Sequence, residues 1–268
     1  MSSSAVLTDR AILAVAGAES REFLQGLITN DIRKLSPDLA LYAALLTPQG
    51  KLLFDFILYD AGSEILVDCA DAEKLQGRLL LYRLRAKVEI ALRSDLAVVV
   101  HWDGANPAAP AWRDPRCPPL GCRSITEAKA IALDSSAQDT YLAHRLDLGI
   151  PEGHDFGSDR TFALDAGLEE LHGVAFDKGC YIGQELTARM KHRGTARKRL
   201  LPLDADATLP HPGTLVMAGD REVGSLTSVY ETRGFALLRL DRLAEAADAT
   251  LDAGGIPVRV RRPAWIAA

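Results

Sequence analysis

Apolar positions change period several times along this chain, and the changes mark out its elements. Ala11-Ile12-Leu13-Ala14-Val15 is a short unbroken apolar run that predicts a strand. Ser20 is placed to cap a helix, and Phe23, Leu24, Leu27 and Ile28 recur behind it at helical spacing. Apolar stretches at 43–46 and 52–58 flank Thr47-Pro48-Gln49-Gly50, where Pro followed two residues later by Gly signals a turn. That segment predicts a hairpin. Ile65-Leu66-Val67 predicts a further strand. A helix is expected from Asp71 to about Arg85, with Leu75, Leu79 and Tyr82 on one face and Arg78, Arg83, Arg85 and Lys87 on a solvated one. Residues 88–92 and 96–100 predict two more strands.

Residues 103–122 are rich in Pro, Gly and Ala and read as an exposed loop, with Trp102 and Trp112 in or beside it. From Thr140 a helix carries Tyr141, Leu142, Arg145, Leu146 and Leu148, and Gly149 and Pro151 stop it. Past residue 200 the character changes. Runs at 200–203, 213–217, 222–230, 235–240 and 255–260 are short and punctuated by Gly and Pro, the pattern of a small β-barrel.

Two polar residues interrupt this scheme. Asp55 lies within the apolar run 52–58, and Asp68 ends the strand at 65–69. Each needs a partner or a ligand if buried, or else stands on an exposed strand face. Carboxylates suit the N–H groups of a nitrogen-rich heterocycle, and aromatics such as Tyr141 or Tyr181 suit stacking on one.

Reactive groups concentrate in Lys178-Gly179-Cys180-Tyr181-Ile182-Gly183-Gln184-Glu185. A thiol stands between two glycines, with a lysine before it and an amide and a carboxylate after. Residues 186–191 propagate well as a helix, so the stretch predicts a tight loop feeding a helix N-terminus. Lys178 and that helix end are expected to favour the Cys180 thiolate. The plain alternative is a buried structural cysteine.

Composition narrows the classes. The chain has 268 residues, 48% hydrophobic, and a formal net charge of -5, so there is no global basic field for nucleic acid. Arg189 to Arg199 is a local exception with six basic residues and no acid, read as a solvated linker. Cys69, Cys117, Cys122 and Cys180 form no CxxC pair, which points to free thiols in a reducing cytoplasm. No membrane-length apolar run or secretory signal is visible, and the opening Met1-Ser2-Ser3-Ser4 does not resemble a transit peptide. No P-loop, dinucleotide fingerprint, metal-binding histidine pair or catalytic triad emerges.

The octad, with Arg189 after it, resembles the hallmark of the YgfZ family. That family comprises folate-binding factors of iron–sulfur protein maturation, with a mitochondrial branch, related to the T-protein aminomethyltransferase (GcvT) of glycine cleavage. Phe23-Leu24-Gln25-Gly26-Leu27-Ile28-Thr29-Asn30-Asp31 resembles the N-terminal segment shared by both groups. On the residues alone Gln25, Thr29 and Asn30 are expected to serve in caps and turns. Arg145-Leu146-Asp147-Leu148-Gly149 resembles an Arg-x-Glu-x-Gly element whose carboxylate grips the pterin, with the shorter Asp147 in place of Glu. A surface contact between Arg145 and Asp147 is the plain alternative.

The resemblance implies an α+β fold, a three-subdomain GcvT/YgfZ-like cloverleaf of two mixed α/β subdomains plus a C-terminal small antiparallel β-barrel. Its boundaries would be 1–46 with 136–194, then 47–135, then 197–268. It further implies a tetrahydrofolate-binding accessory factor for [4Fe–4S] enzymes, including tRNA-modifying ones. Cys180 and Lys178 would be the functional pair; Asp55, Asp68, Asp147, Tyr141, Tyr181, Gln184, Glu185 and Arg189 would line or fix a folate site. Gly179 and Gly183 would shape the loop. No resident metal is expected. A single thiolate cannot hold a cluster that takes about four ligands, so partners would be client enzymes and assembly proteins that supply the rest. The chain is expected to be a cytoplasmic monomer with no membrane and no direct RNA contact. The competing reading is a folate-dependent aminomethyltransferase. The T-proteins carry Gly-Gly-x-x-Asp-Asp where this chain has Gly50 and Asp55, but Phe54 replaces the first acid and disfavours that chemistry.

Overall fold

The computed structural model describes residues 4–266 apart from 106, 108, 109, 131–133, 158, 195, 196, 247 and 248. The opening Met1-Ser2-Ser3, three positions of the expected 103–122 loop and two of the basic run therefore lie outside the described residues. The chain forms two compact units. Residues up to Leu46, Leu53–His144 and Leu171–Ile182 make the first; Thr47–Leu52, Arg145–Glu170 and the chain from Gly183 onward make the second.

In the first unit the strands are β1 (Ser4–Leu7), β2 (Ala11–Ala16), β3 (Leu41–Leu46), β4 (Leu52–Asp60), β5 (Glu64–Cys69), β6 (Glu89–Leu92), β7 (Leu96–His101), β8 (Ala111–Arg113) and β9 (Cys122–Glu127). They build a five-stranded sheet in the order β3-β4-β5-β2-β6 and a four-stranded sheet in the order β1-β7-β9-β8. Helix α1 (Ser20–Gln25) and helix α2 (Ala72–Arg83) cover the larger sheet. Leu24, Ile28, Leu75 and Leu79 pack with Leu13, Val15, Phe56, Leu58 and Val67 in one core. All six residues of β3 are buried, which is why it reads as a continuous apolar run rather than an alternation. Helix α3 (Ser135–Leu148) belongs to this unit as far as His144.

Three expectations are corrected here. Ser20 is the first helical residue and not the cap: Glu19 takes that place, with no side-chain capping bond. The stretch 103–122 is not an exposed loop around its tryptophans. Trp102 and Trp112 are both buried, Trp112 Nε1 donates to Pro37 O at 2.7 Å, and β8 pairs with β9. Pro and Gly there set the turns at strand ends, while the indoles supply apolar area that outweighs the loop-like composition. Helix α3 starts earlier than Thr140, at Ser135.

The second unit holds a closed barrel of β10 (Lys198–Ala205), β11 (Leu215–Ala218), β12 (Arg221–Tyr230), β13 (Arg233–Arg239), β14 (Leu251–Ala253) and β15 (Ile256–Val260). Its order is β10-β13-β12-β11-β14-β15, with β15 pairing back onto β10. Leu203, Val216, Val223, Leu238 and Ala253 fill it. Helix α4 (Gln184–Arg193) precedes the barrel and α5 (Leu240–Glu245) follows β13. Most of the basic run 189–199 is not a linker: residues 189–193 end α4 and 198–199 open β10. Three of its six charges are locally met: Arg189 pairs with Glu185 at 2.7 Å, Arg199 with Glu170 at 2.6 Å, and Lys191 with Glu169.

Candidate functional site

The motif 178–185 falls in two parts, Lys178 to Ile182 in the first unit and Gly183 onward in the second. In the first, Lys178 is buried and its Nζ donates to the carbonyl oxygens of Gln25, Ile28 and Asn30 at 2.7, 2.6 and 2.9 Å. The same ammonium lies 5.0 Å from the centre of the Tyr181 ring. Burial draws the Lys178 pKa down to about 8, against the opposing pull of Asp31. The segment after α1 is thus a cradle. Thr29 Oγ1 donates to Gly173 O at 2.6 Å, Thr29 O accepts from Ala175 N at 3.0 Å, and Asn30 Nδ2 donates to His172 O at 2.7 Å. Gln25 serves the local turn, accepting from Ile32 N and donating to Asp31.

On this fixed loop Cys180 is exposed, while Cys69 is buried and Cys117 and Cys122 are half-buried; all four are free thiols. Burial pushes Cys69 up to about 12 and raises Cys117 as well, so neither is disposed to act as a thiolate. The bonds of the Lys178 ammonium run to backbone carbonyls, which makes it the residue that positions the loop. Tyr181 is buried beneath it. Gly179 does not shape the loop as expected: its φ is not positive, and an added Cβ would meet open space.

In the second unit Gly183 does have a structural task. It caps α4 in the left-handed region at φ 81°, which favours glycine, and Thr187 Oγ1 donates back to its carbonyl at 3.1 Å. Gly50, at φ 78°, belongs to a turn closed by Gly50 N on Thr47 O, and a Cβ there would come within 3.2 Å of Gly183 O. Gln184 is half-buried, and Glu185 is exposed and holds Arg189 as an i,i+4 pair.

The aspartates have partners that the sequence did not supply. Asp68 faces Ile12 of β2 and Ile57 of β4 and is fully buried. It accepts from Arg10 Nε, from Arg123 Nη1 at 2.8 Å and from Tyr59 OH at 3.4 Å. Arg123 also donates to Asp114 at 2.9 Å, and Arg116 closes on Asp114 at 2.7 Å. Burial alone would raise Asp114, but the two guanidinium groups outweigh it and hold it at about 2. Asp55 is buried with Tyr42 OH 3.3 Å away. Tyr141 is core rather than a stacking platform: it is buried 5.5 Å from the Trp102 ring, and its OH accepts from Arg123 at 3.2 Å.

The Arg145–Asp147 surface contact is also corrected. Arg145 is buried and donates to Asp155 at 2.7 Å and to Ile150 O at 2.6 Å. Asp155 collects Tyr230 OH at 2.9 Å, Glu152 N at 3.1 Å and Ser228 Oγ besides. Asp147 stays exposed and pairs with Arg233 at 2.8 Å. Among the described residues no group of three or more His, Cys, Asp or Glu could hold a metal ion, and no helix is long and apolar enough to cross a membrane.

Residues 197–268 match the C-terminal β-barrel domain of CAF17. The chain is 34% identical over 278 residues to the iron–sulfur cluster assembly factor IBA57, mitochondrial, of Homo sapiens, covering 88% of this chain and 77% of the relative. It is 31% identical over 300 residues to the IBA57 homolog of Mycosarcoma maydis, covering 90% of this chain and 74% of the relative. The chain belongs to the IBA57 family. The YgfZ resemblance is thereby refined, since these relatives carry the IBA57 name; the cytoplasmic expectation finds no support in names that are mitochondrial. Among solved structures, the glycine cleavage system aminomethyltransferase T from Bartonella henselae superposes with TM-score 0.75 at 15% identity, over 98% of this chain and 86% of that one. That likeness gives this IBA57-family chain the expected GcvT-like fold of mixed α/β parts with a six-stranded barrel.

Proposed function

We propose that this chain is an iron–sulfur cluster assembly factor in which Cys180 lends one sulfur ligand to a cluster held mainly by a partner. The observation that carries the reading is an exposed thiol on a loop fixed by a buried lysine, in a chain whose relatives are named as assembly factors. One thiolate leaves about three cluster positions to other ligands, so the chain acts as an adaptor and the cluster is its cargo. Pre-positioning by Lys178 means that little loop entropy is lost when the partner arrives.

A tetrahydrofolate site is the second part of the proposal, and the residues fit it unequally. Asp68 does not fit, because its oxygens are taken by Arg10, Arg123 and Tyr59 inside the first unit. Asp147 fits: its carboxylate is exposed and carries a single surface pair to Arg233, a weak contact that a pair of pterin N–H donors can replace. Clients that include tRNA-modifying [4Fe–4S] enzymes belong to the same proposal.

The thiol is tested by complementation. In a strain lacking the gene, Cys180→Ala is expected to fold and accumulate normally but to leave [4Fe–4S] enzyme activity unrestored. Full rescue by that variant would show the sulfur to be dispensable and the reading wrong. Titration of tetrahydrofolate against wild type and Asp147→Ala tests the folate part, and equal affinities would remove Asp147 from it.

A further inference from the structure

Helix α2 is apolar on two opposite faces. Ala72, Leu75 and Leu79 are buried in the first unit's core. Away from them, Gly77, Leu80, Leu81 and Leu84 recur at spacings of three and four, and the leucines are 41%, 68% and 87% exposed. A helix that is apolar on both sides is normally covered on both. Gly77 sits in the helix interior with no positive φ, and a Cβ there would meet nothing within 4 Å. Glycine weakens a helix at such a position, and nothing in this unit requires it. Its effect is a notch in the exposed stripe. Leu84 ends the helix at φ 44°, a conformation that side-chain-bearing residues rarely adopt.

The stripe is edged by cations. Arg78, Arg83 and Arg85 are exposed, and none makes a side-chain hydrogen bond or ion pair with a described residue. Glu73, a turn before Gly77, is the sole acid from 72 to 88, and Glu19 reaches this end only through the backbone N–H of Lys87. We propose that this face docks an amphipathic helix of another protein, whose apolar ridge lies on Leu80, Leu81 and Leu84 and whose flanking carboxylates meet the arginines. The uncovered cations select an acidic partner. A two-fold contact with a second copy would instead set arginines against arginines. A bilayer would use the leucines and the charge but has no use for the notch, which admits a close-packed backbone.

The test uses a synthetic helical peptide of about 18 residues with a leucine ridge flanked by glutamates, and its counterpart with lysines for glutamates. Both are titrated against the full chain, alongside vesicles with about 30% anionic lipid. The acidic peptide is expected to bind and the basic one not to. L81S/L84S and R78E/R83E should each weaken binding by about tenfold or more with unchanged thermal stability, since all four positions are exposed. G77A should raise the melting temperature and still weaken binding. Failure of the acidic peptide to bind, equal binding by L81S/L84S, or capture by vesicles alone would overturn the proposal. None of these outcomes depends on Cys180.

Discussion

Asp68 and Arg123 form a buried ion pair at 2.8 Å, with side chains 0% and 1% exposed. Arg10 takes the other carboxylate oxygen, so the charge is compensated from both sides. Removing Asp68 takes the shared carboxylate from two guanidinium groups in a dry interior and leaves Arg123 with Asp114 and Arg10 with the backbone carbonyl of residue 68. Asp68→Ala is therefore expected to cost about 3–5 kcal/mol. Urea denaturation checks this. A loss below about 1 kcal/mol would mean that water reaches the pair and that Asp68 is open to ligands after all.

Much of this fold is legible in the sequence, because apolar runs, turn dipeptides and helical stops are local signals. The hairpin around Pro48 and Gly50, the helix stop at Gly149 and the barrel strands all follow from them. What the sequence does not show is which charged residues meet across long separations. Asp68 is 55 residues from Arg123, and Asp155 is 73 residues from Ser228. Nothing local in either acid marks it as half of a buried network. Phe23 to Asp31 was legible as a shared segment, yet its task of cradling Lys178 rests on backbone carbonyls that no residue type encodes. The burial of Trp102 and Trp112 was hidden in the same way, by loop-like neighbours.

Gly179 and Gly183 flank the same thiol but differ in kind. Gly183 holds φ 81° at the cap of α4, where a Cβ is strained; Gly179 has neither positive φ nor a neighbour within 4 Å of its Cβ position. Gly183→Ala is expected to lower stability by about 1–2 kcal/mol. Gly179→Ala should change it by no more than about 0.5 kcal/mol. Paired thermal melts decide the matter, and equal losses from both would show that Gly179 is also held in a strained conformation.

Asp165 gives the second unit a pH dependence with a definite sign. Its side chain is buried, one oxygen has no hydrogen-bond partner, and burial raises its pKa to about 6 despite Lys198 and Arg199 nearby. Arg199 offsets this only in part, being bound to Glu170 at 2.6 Å and set over the Trp265 ring. In the folded chain the proton is kept until about pH 6, whereas the unfolded carboxyl releases it near 3.8, the ordinary value for aspartate. Proton uptake therefore favours the fold. Its contribution is complete below the unfolded value and is lost as pH rises to about 6. Asp165→Asn is uncharged throughout, so it should match wild type near pH 4 and exceed it by about 2–3 kcal/mol at pH 7. Urea midpoints of the two proteins across that range check the sign. A variant that is less stable than wild type at pH 7 would mean that the ionised carboxylate is stabilised by its cationic neighbours, and the assignment would reverse.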